Sequence, residues 1–221
     1  GIGSGAKAHS TDAIGLGNGS WARGDSTFAA FGDARSTASV AIGLGTVSSA
    51  DAALALGRDS YALAASAISL GKGRASGAAS FAAAITNNSA SYGASGANSV
   101  AMGANAKSSG IRAISLGRFG QATNTRSINI GDSAASTGAS SVAIGYTAVA
   151  SQTYSTAIGY RSSSDIIGKY AYAGGAFAVT GDSQTGTFVL LSATTDATPD
   201  ALTTGNNNPG TANQVILPNN S

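Results

Sequence analysis

The phrase Val40-Ala41-Ile42-Gly43 returns as Val100-Ala101-Met102-Gly103 and as Val142-Ala143-Ile144-Gly145, with looser copies between. With its glycine as origin, equivalent positions fall at Gly15, Ala29, Gly43, Gly57, Gly71 and Ile85 in steps of 14. One step of 18 leads to Gly103, and steps of 14 resume through Gly117, Gly131, Gly145 and Gly159. A short period held over so many copies is the signature of stacked coils in which each repeat leans on its neighbours.

Within a copy, the residue before the origin is apolar throughout, as in Ile14, Phe28, Ile42, Leu56, Leu70, Met102, Leu116, Ile130, Ile144 and Ile158. The residue three before it is mostly apolar too, as in Val40, Leu54, Ile68, Ile114 and Val142, and a small or short polar residue always stands between them. That alternation predicts a strand with one buried face, and the larger residues are expected to point into the coil.

Five places after the origin stand Ser20, Ala34, Ser48, Ala62, Ser76, Ala90, Ser108, Ala122, Ser136, Ala150 and Ser164, none larger than serine. A column held so small must face something close. It could be the large residues of its own coil or a neighbouring chain. Glycine at the origin suits a turn that needs positive φ or a close backbone approach. Each copy therefore reads as strand, turn, strand of small residues, turn. The expected fold is all-β, a parallel β-roll solenoid of 14-residue coils over residues 1–164. The stretch Thr86 to Asn98, polar and glycine-rich, carries the four extra residues and reads as one longer loop.

Composition agrees. Only 10% of the 221 residues are charged and 31 are glycine, so any core is thin and burial against partner chains is expected to supplement it. All three prolines, Pro199, Pro209 and Pro218, lie in the last quarter, which leaves the rest free of the residue that interrupts a β ladder. A net charge of +2 without a basic cluster implies no nucleic-acid partner. There is no cysteine for a disulfide or thiolate site. No apolar run approaches the roughly 20 residues that span a bilayer, so neither a signal peptide nor membrane insertion is expected. The chain opens in mid-pattern and reads as a piece of something longer.

The Ser-Val-Ala-Ile-Gly phrase, at Ser39 to Gly43 and Ser141 to Gly145, resembles the head repeat of the YadA-like trimeric adhesins over roughly residues 10 to 164. The resemblance implies a left-handed parallel β-roll with three chains side by side, hence a homotrimer. After Ser164 the register is expected to stop, and residues 165–221 to form a C-terminal β-rich module. Its stretches Gly168 to Gly175, Gly181 to Thr187, Ala193 to Pro199 and Asn213 to Ser221 are similar to a segment near the end of phage tail-fibre and virion structural proteins. In those proteins the Leu-Pro-Asn-Asn-Ser stretch leads into a further tip region, so the chain is expected to have run past Ser221, which is either simply where this sequence stops, the reading preferred, or a processed end. Phe188 to Leu191 and Val215 to Leu217 are the strand candidates there. No stalk heptads or barrel strands accompany the repeats. The resemblances together imply a structural and adhesive phage tail-fibre segment that meets an extracellular glycan or protein of the host. The head of a bacterial autotransporter adhesin at the cell surface is the alternative.

Chemistry is sparse. His9 is the only histidine and sits in a Gly/Ser-rich end, where a catalytic base is not expected. The acids are scattered, and Asp25, Asp33, Asp51, Asp59 and Asp132 read as turn residues. Strings such as Gly15 to Gly19 lack the following helix and Gly-Lys-Ser/Thr of a phosphate loop. No metal or cofactor site and no enzymatic activity are expected. An ice-binding solenoid should show a Thr-x-Thr ladder at the repeat spacing, and Thr123-Asn124-Thr125 and Thr185-Gly186-Thr187 are isolated matches that do not recur at that step. The column just after the origin varies most, which marks an exposed corner. From it and its surroundings, Trp21, Phe31, Arg58, Lys72, Arg118, Phe119, Tyr146, Tyr160 and Arg161 are the candidate receptor-facing residues.

Overall fold

A computed structural model describes residues 1–86, 89–191, 202–204 and 213. The chain winds as a two-sheet solenoid of about twelve coils. One sheet has 13 strands, mostly of three residues, and is called wide here; the other has 12 strands of two residues and is called narrow. Successive coils pair in parallel, so that Val40, Ala41 and Ile42 lie beside Leu54, Ala55 and Leu56, and Val47 and Ser48 beside Tyr61 and Ala62.

The interior is filled by the small residues. Ala29, Ala41, Ala55, Ala82, Ala101, Ala143 and Ala157 of the wide sheet and Ala22, Ala34, Ala62, Ala122 and Ala150 of the narrow sheet are fully buried. This corrects the expectation that the large residues one and three places before the origin point inward: Ile42 is 38% exposed and Ile130 41%. The reason is the closeness of the two sheets. The Ser60 hydroxyl of the corner donates to the Ser69 hydroxyl of the wide sheet at 2.8 Å, a gap between strands that suits serine and alanine and not a column of large side chains. Several interior serines satisfy themselves on carbonyls of the same coil, as Ser48 Oγ does on the Ala53 oxygen and Ser108 Oγ on the Ala113 oxygen, at 2.8 and 2.9 Å, whereas the Ser115 and Ser162 hydroxyls have no partner.

The large residues thus form the outer face of the wide sheet, two columns running the length of the solenoid. One column passes through Ile14, Phe28, Val40, Leu54, Ile68 and onward to Tyr170, the other through Leu16, Ile42, Leu56, Leu70 and onward to Tyr172. A sheet with one apolar outer face and an interior of alanine and serine inverts the usual layering.

Strand pairing also moves the register at two places. Phe28 pairs with Val40, a step of 12, so the turn residue equivalent to Gly43 in the first full coil is Gly17 and not Gly15, while Phe31 takes that place in the next. The interior position expected at Ser20 belongs to Ala22. Around the insertion, Ile68 pairs with Phe81 and Phe81 with Val100, steps of 13 and 19, so Ala75 and Ala94 replace Ser76 and Ala90 in the interior column. Every irregularity lies in the corner leading from the wide sheet to the narrow one. It has two residues at 31–32, three at 71–73, nine at 84–92 and four at 43–46 and most other copies. The return corner is five residues each time, as at 23–27 and 165–169.

Gly43 meets both demands on an origin glycine. Its φ is +127°, and a Cβ there would stand 2.5 Å from the carbonyl oxygen of Gly57 on the next coil.

The parallel register continues past Ser164 for one more wide strand, Tyr170–Ala173. The chain then reverses, and Thr185–Thr187 pairs antiparallel with that strand. Phe188 to Leu191 adds only an isolated bridge between Leu191 and Thr203. Ala193 to Pro199, Val215 to Leu217 and the Leu-Pro-Asn-Asn-Ser end lie outside the described residues.

Candidate functional site

The variable corner carries most of the sequence-derived candidates. Arg58 and Arg118 sit one place after the turn glycine, as do Tyr146 and Tyr160; Lys72, Phe119 and Arg161 take the following left-handed position, with φ of +52°, +55° and +53°. Leu16 and Ala30 lie in wide-sheet strands instead, because of the 12-residue coil. Since each coil stacks directly on the last, side chains at this corner meet their counterparts. Tyr146 and Tyr160 stack with centroids 5.4 Å apart and planes 13° from parallel. Arg118 donates from Nη2 to Asp132 at 2.7 Å and lies 5.2 Å from the Phe119 ring. The Ser133 hydroxyl and then Arg118 hold the Asp132 carboxyl below its ordinary value. Arg58 pairs with Asp59 at 3.4 Å. Arg161 donates to the Ala178 carbonyl at 3.1 Å and so ties the corner to the chain reversal.

Phe31 lies over Gly17, where any Cβ would meet its ring. Trp21 is elsewhere, on the outer face of the narrow sheet, with the Lys7 ammonium 4.3 Å and the Arg23 guanidinium 4.1 Å from its ring centroid and His9 6.1 Å away. Asp33 anchors this cluster through Arg23 at 3.0 Å and Arg35 at 2.7 Å. The candidates therefore form a ladder along one corner and a separate cationic cluster around Trp21.

Sequence reasoning passed over a concavity at the long corner. Ser91 and Tyr92, at its end, close one side of a hollow of about 230 Å³ whose other walls are Asn105, Lys107, Phe119 and Gln121. The longer loop is itself the signal that could have pointed there. Ile85, near its start, is fully buried and the largest such side chain among the described residues.

Among the described residues no three acidic or histidine side chains come together in a way that could hold a metal ion. Among the described residues the parallel strands of the wide outer face present mainly Ile, Val, Leu, Phe, Met and Tyr with Thr156 their one threonine, and Thr185 and Thr187 of the antiparallel strand stand beside Tyr172 and Tyr170, so no threonine ladder of the ice-binding kind runs along the coils.

The family model of the YadA head domain repeat (2 copies) matches residues 34–60, 94–119 and 136–162. No curated protein matches the chain. Each matched segment spans two successive wide strands, the narrow strand between them and the corners that join them, so the likeness is to the repeat unit of a structural, adhesin-type head.

Proposed function

We propose that three copies of this chain pack side by side through the apolar outer faces of their wide sheets, building a segment of an extracellular adhesive fibre with no enzymatic activity. The observation that carries the proposal is the inverted layering. Alanine and serine fill each coil, while two columns of large apolar residues run the full height of the wide sheet with only half-burial. Contiguous apolar surface on that scale marks an interaction face. Identical repeats give it a straight, self-complementary form suited to identical partners. The match to YadA head repeats supports a threefold arrangement, since those heads are trimers.

The corner ladder and the Trp21 cluster lie off the wide face and remain open for a receptor on a host surface. As context we infer a phage tail fibre, on the resemblance of residues 168–221 to fibre segments; residues 165–221 then form the module that follows the roll. The repeat match favours a second reading, the head of a bacterial trimeric autotransporter adhesin. Immunogold labelling of virions and of cell envelopes separates the two.

Sedimentation equilibrium tests the assembly. A trimer is expected, and Leu56→Asp together with Ile144→Asp should abolish it. A stable, folded monomer of the unmodified chain would overturn the proposal.

A further inference from the structure

We propose that the hollow between Tyr92 and Phe119 binds a single acidic sugar residue, a uronic or sialic acid of a surface polysaccharide, with Lys107 meeting its carboxylate. The inference builds on the adhesive reading and names the ligand class of one site.

The hollow exists because the repeat is broken there. Elsewhere the corner is short; here the wide strand ends at Ala83 and the next narrow strand begins only at Gly93. Ile85 plugs the interior, and Tyr92 packs partly against the same alanine cluster, which fixes its ring at the edge of the hollow. Gly93 pairs with Lys107, and Lys107 with Gln121, in the narrow sheet. With no side chain at Gly93, the row beside Lys107 stays open. A Cβ there would meet the Arg74 carbonyl oxygen at 2.2 Å, so the gap is built into the backbone.

The lining suits a sugar. Tyr92 and Phe119 supply aromatic surface for the C–H face of a pyranose, while Asn105, Gln121 and Ser91 supply hydroxyl partners. Asn105 Oδ1 itself is buried and has no hydrogen-bond partner, so it is the rest of the Asn105 side chain that can face a ligand. The charge is one-sided. No carboxylate lines the hollow, and Lys107, like Lys7, Lys72 and Arg74, has none within ion-pair distance among the described residues; what sets it apart is its place in the wall of the hollow. A lysine in the wall of a hollow that holds no carboxylate favours an anionic ligand over a neutral one.

Saturation-transfer NMR on the full chain is the test, with glucuronic acid and N-acetylneuraminic acid as probes and glucose and N-acetylglucosamine as controls. Transfer to ring protons of at least one acid, and weaker transfer to the neutral sugars, is expected. Lys107→Gln should weaken binding about tenfold, the loss of one charge-assisted contact. Tyr92→Ala should abolish ring-proton transfer, with circular dichroism and sedimentation confirming that each variant still folds and assembles. Equal binding of neutral and acidic sugars, an unaffected Lys107→Gln variant, or no binding would overturn the site. A cell-attachment assay separates this from the broader reading: attachment by wild type and Lys107→Gln alike sinks the site and leaves the adhesive reading standing. A trimer that attaches to no cell surface while still binding the acid removes the adhesive reading and keeps the site.

Discussion

Gly120 and Asn129 are a matched pair inside the solenoid: a Cβ on Gly120 would stand 2.7 Å from Asn129 Oδ1 and 2.9 Å from Ser115 Oγ. Asn129 is fully buried in a column otherwise made mainly of alanine and serine, and the narrow-side position beside it is vacated to admit it. Its amide donates to the Ala134 carbonyl, and more distantly to that of Gln121, while Oδ1 has no partner. Gly120→Ala should therefore cost about 1–3 kcal/mol by overpacking. Combining it with Asn129→Ser, the residue found at the equivalent positions 69 and 115, should restore most of the loss. A double-mutant cycle by thermal or denaturant unfolding measures the coupling.

Turn glycines should not be equal. Gly43 is strained for any side chain in both φ and space, so Gly43→Ala is expected to destabilise by about 2 kcal/mol or more. At Gly71 φ is +46° and nothing lies within 4 Å of an added Cβ, so Gly71→Ala should cost only about 1 kcal/mol and Gly71→Asn less. Unfolding midpoints of the three variants rank them.

Ala62→Trp and Ala122→Trp place an indole between two sheets whose facing side chains are serine and alanine. Both positions are fully buried. No rotamer escapes the interior, and several kcal/mol of overpacking should leave the variants unfolded or unstacked locally. The same substitution at Val47, on the outer narrow face, should be tolerated. Limited proteolysis distinguishes the two outcomes.

Why the small columns were legible and their direction was not follows from period-2 geometry. Alternation says that Ala41 faces away from Val40 and Ile42, but it is symmetric and does not say which side is inside. Large size suggested the interior, whereas the spacing between sheets, a property of the closed coil, decided for alanine. The all-small column at 34, 48 and 62 already implied that narrow gap. The first coil misled for a local reason: in Ile14-Gly15-Leu16-Gly17 either glycine fits the phrase, and only strand pairing shows that Gly17 is the turn. The hollow at Tyr92 depends on where nine irregular residues come to rest, which no repeat can foretell.

The last coil exposes strand edges, and the chain reversal covers them. Thr185–Thr187 pairs with the final wide strand, while the Gln184 side chain accepts from the Ser163 N–H at 2.7 Å and donates to the Ser163 carbonyl at 2.8 Å, as another strand would. Covered edges resist edge-to-edge association. Gln184→Ala should leave both Ser163 groups without their partner, cost about 1–2 kcal/mol, and speed aggregation on mild heating. Light scattering of variant and wild type during a thermal ramp checks this, and Gln184→Glu, which keeps the acceptor and loses the donor, should be intermediate.

The same reversal should respond to acid through Asp182. Its carboxylate accepts hydrogen bonds from the backbone N–H groups of Ala178, Val179 and Phe177, with Arg161 nearby, and these hold its carboxyl below the ordinary 3.8. A lowered folded value means that the ionised form favours the folded loop. The contribution is present in full above the unfolded value and is lost as pH falls below 3.8 through the folded one. Protection against hydrogen exchange, taken relative to the intrinsic rate at each pH, should accordingly fall at the amides of Phe177, Ala178 and Val179 over that acid interval while the interior amides of Ala143 and Ala157 stay protected. Asp182→Asn removes the titrating group, so its protection at 177–179 should be lower at neutral pH and nearly flat on acidification. Asp132, also held low, lies at the corner beside Arg118 and is unaffected by that substitution, so any acid response surviving in Asp182→Asn at residues 118–133 belongs to it. Exchange at 177–179 that is already fast at neutral pH in the unmodified chain would show that the carboxylate does not hold the loop.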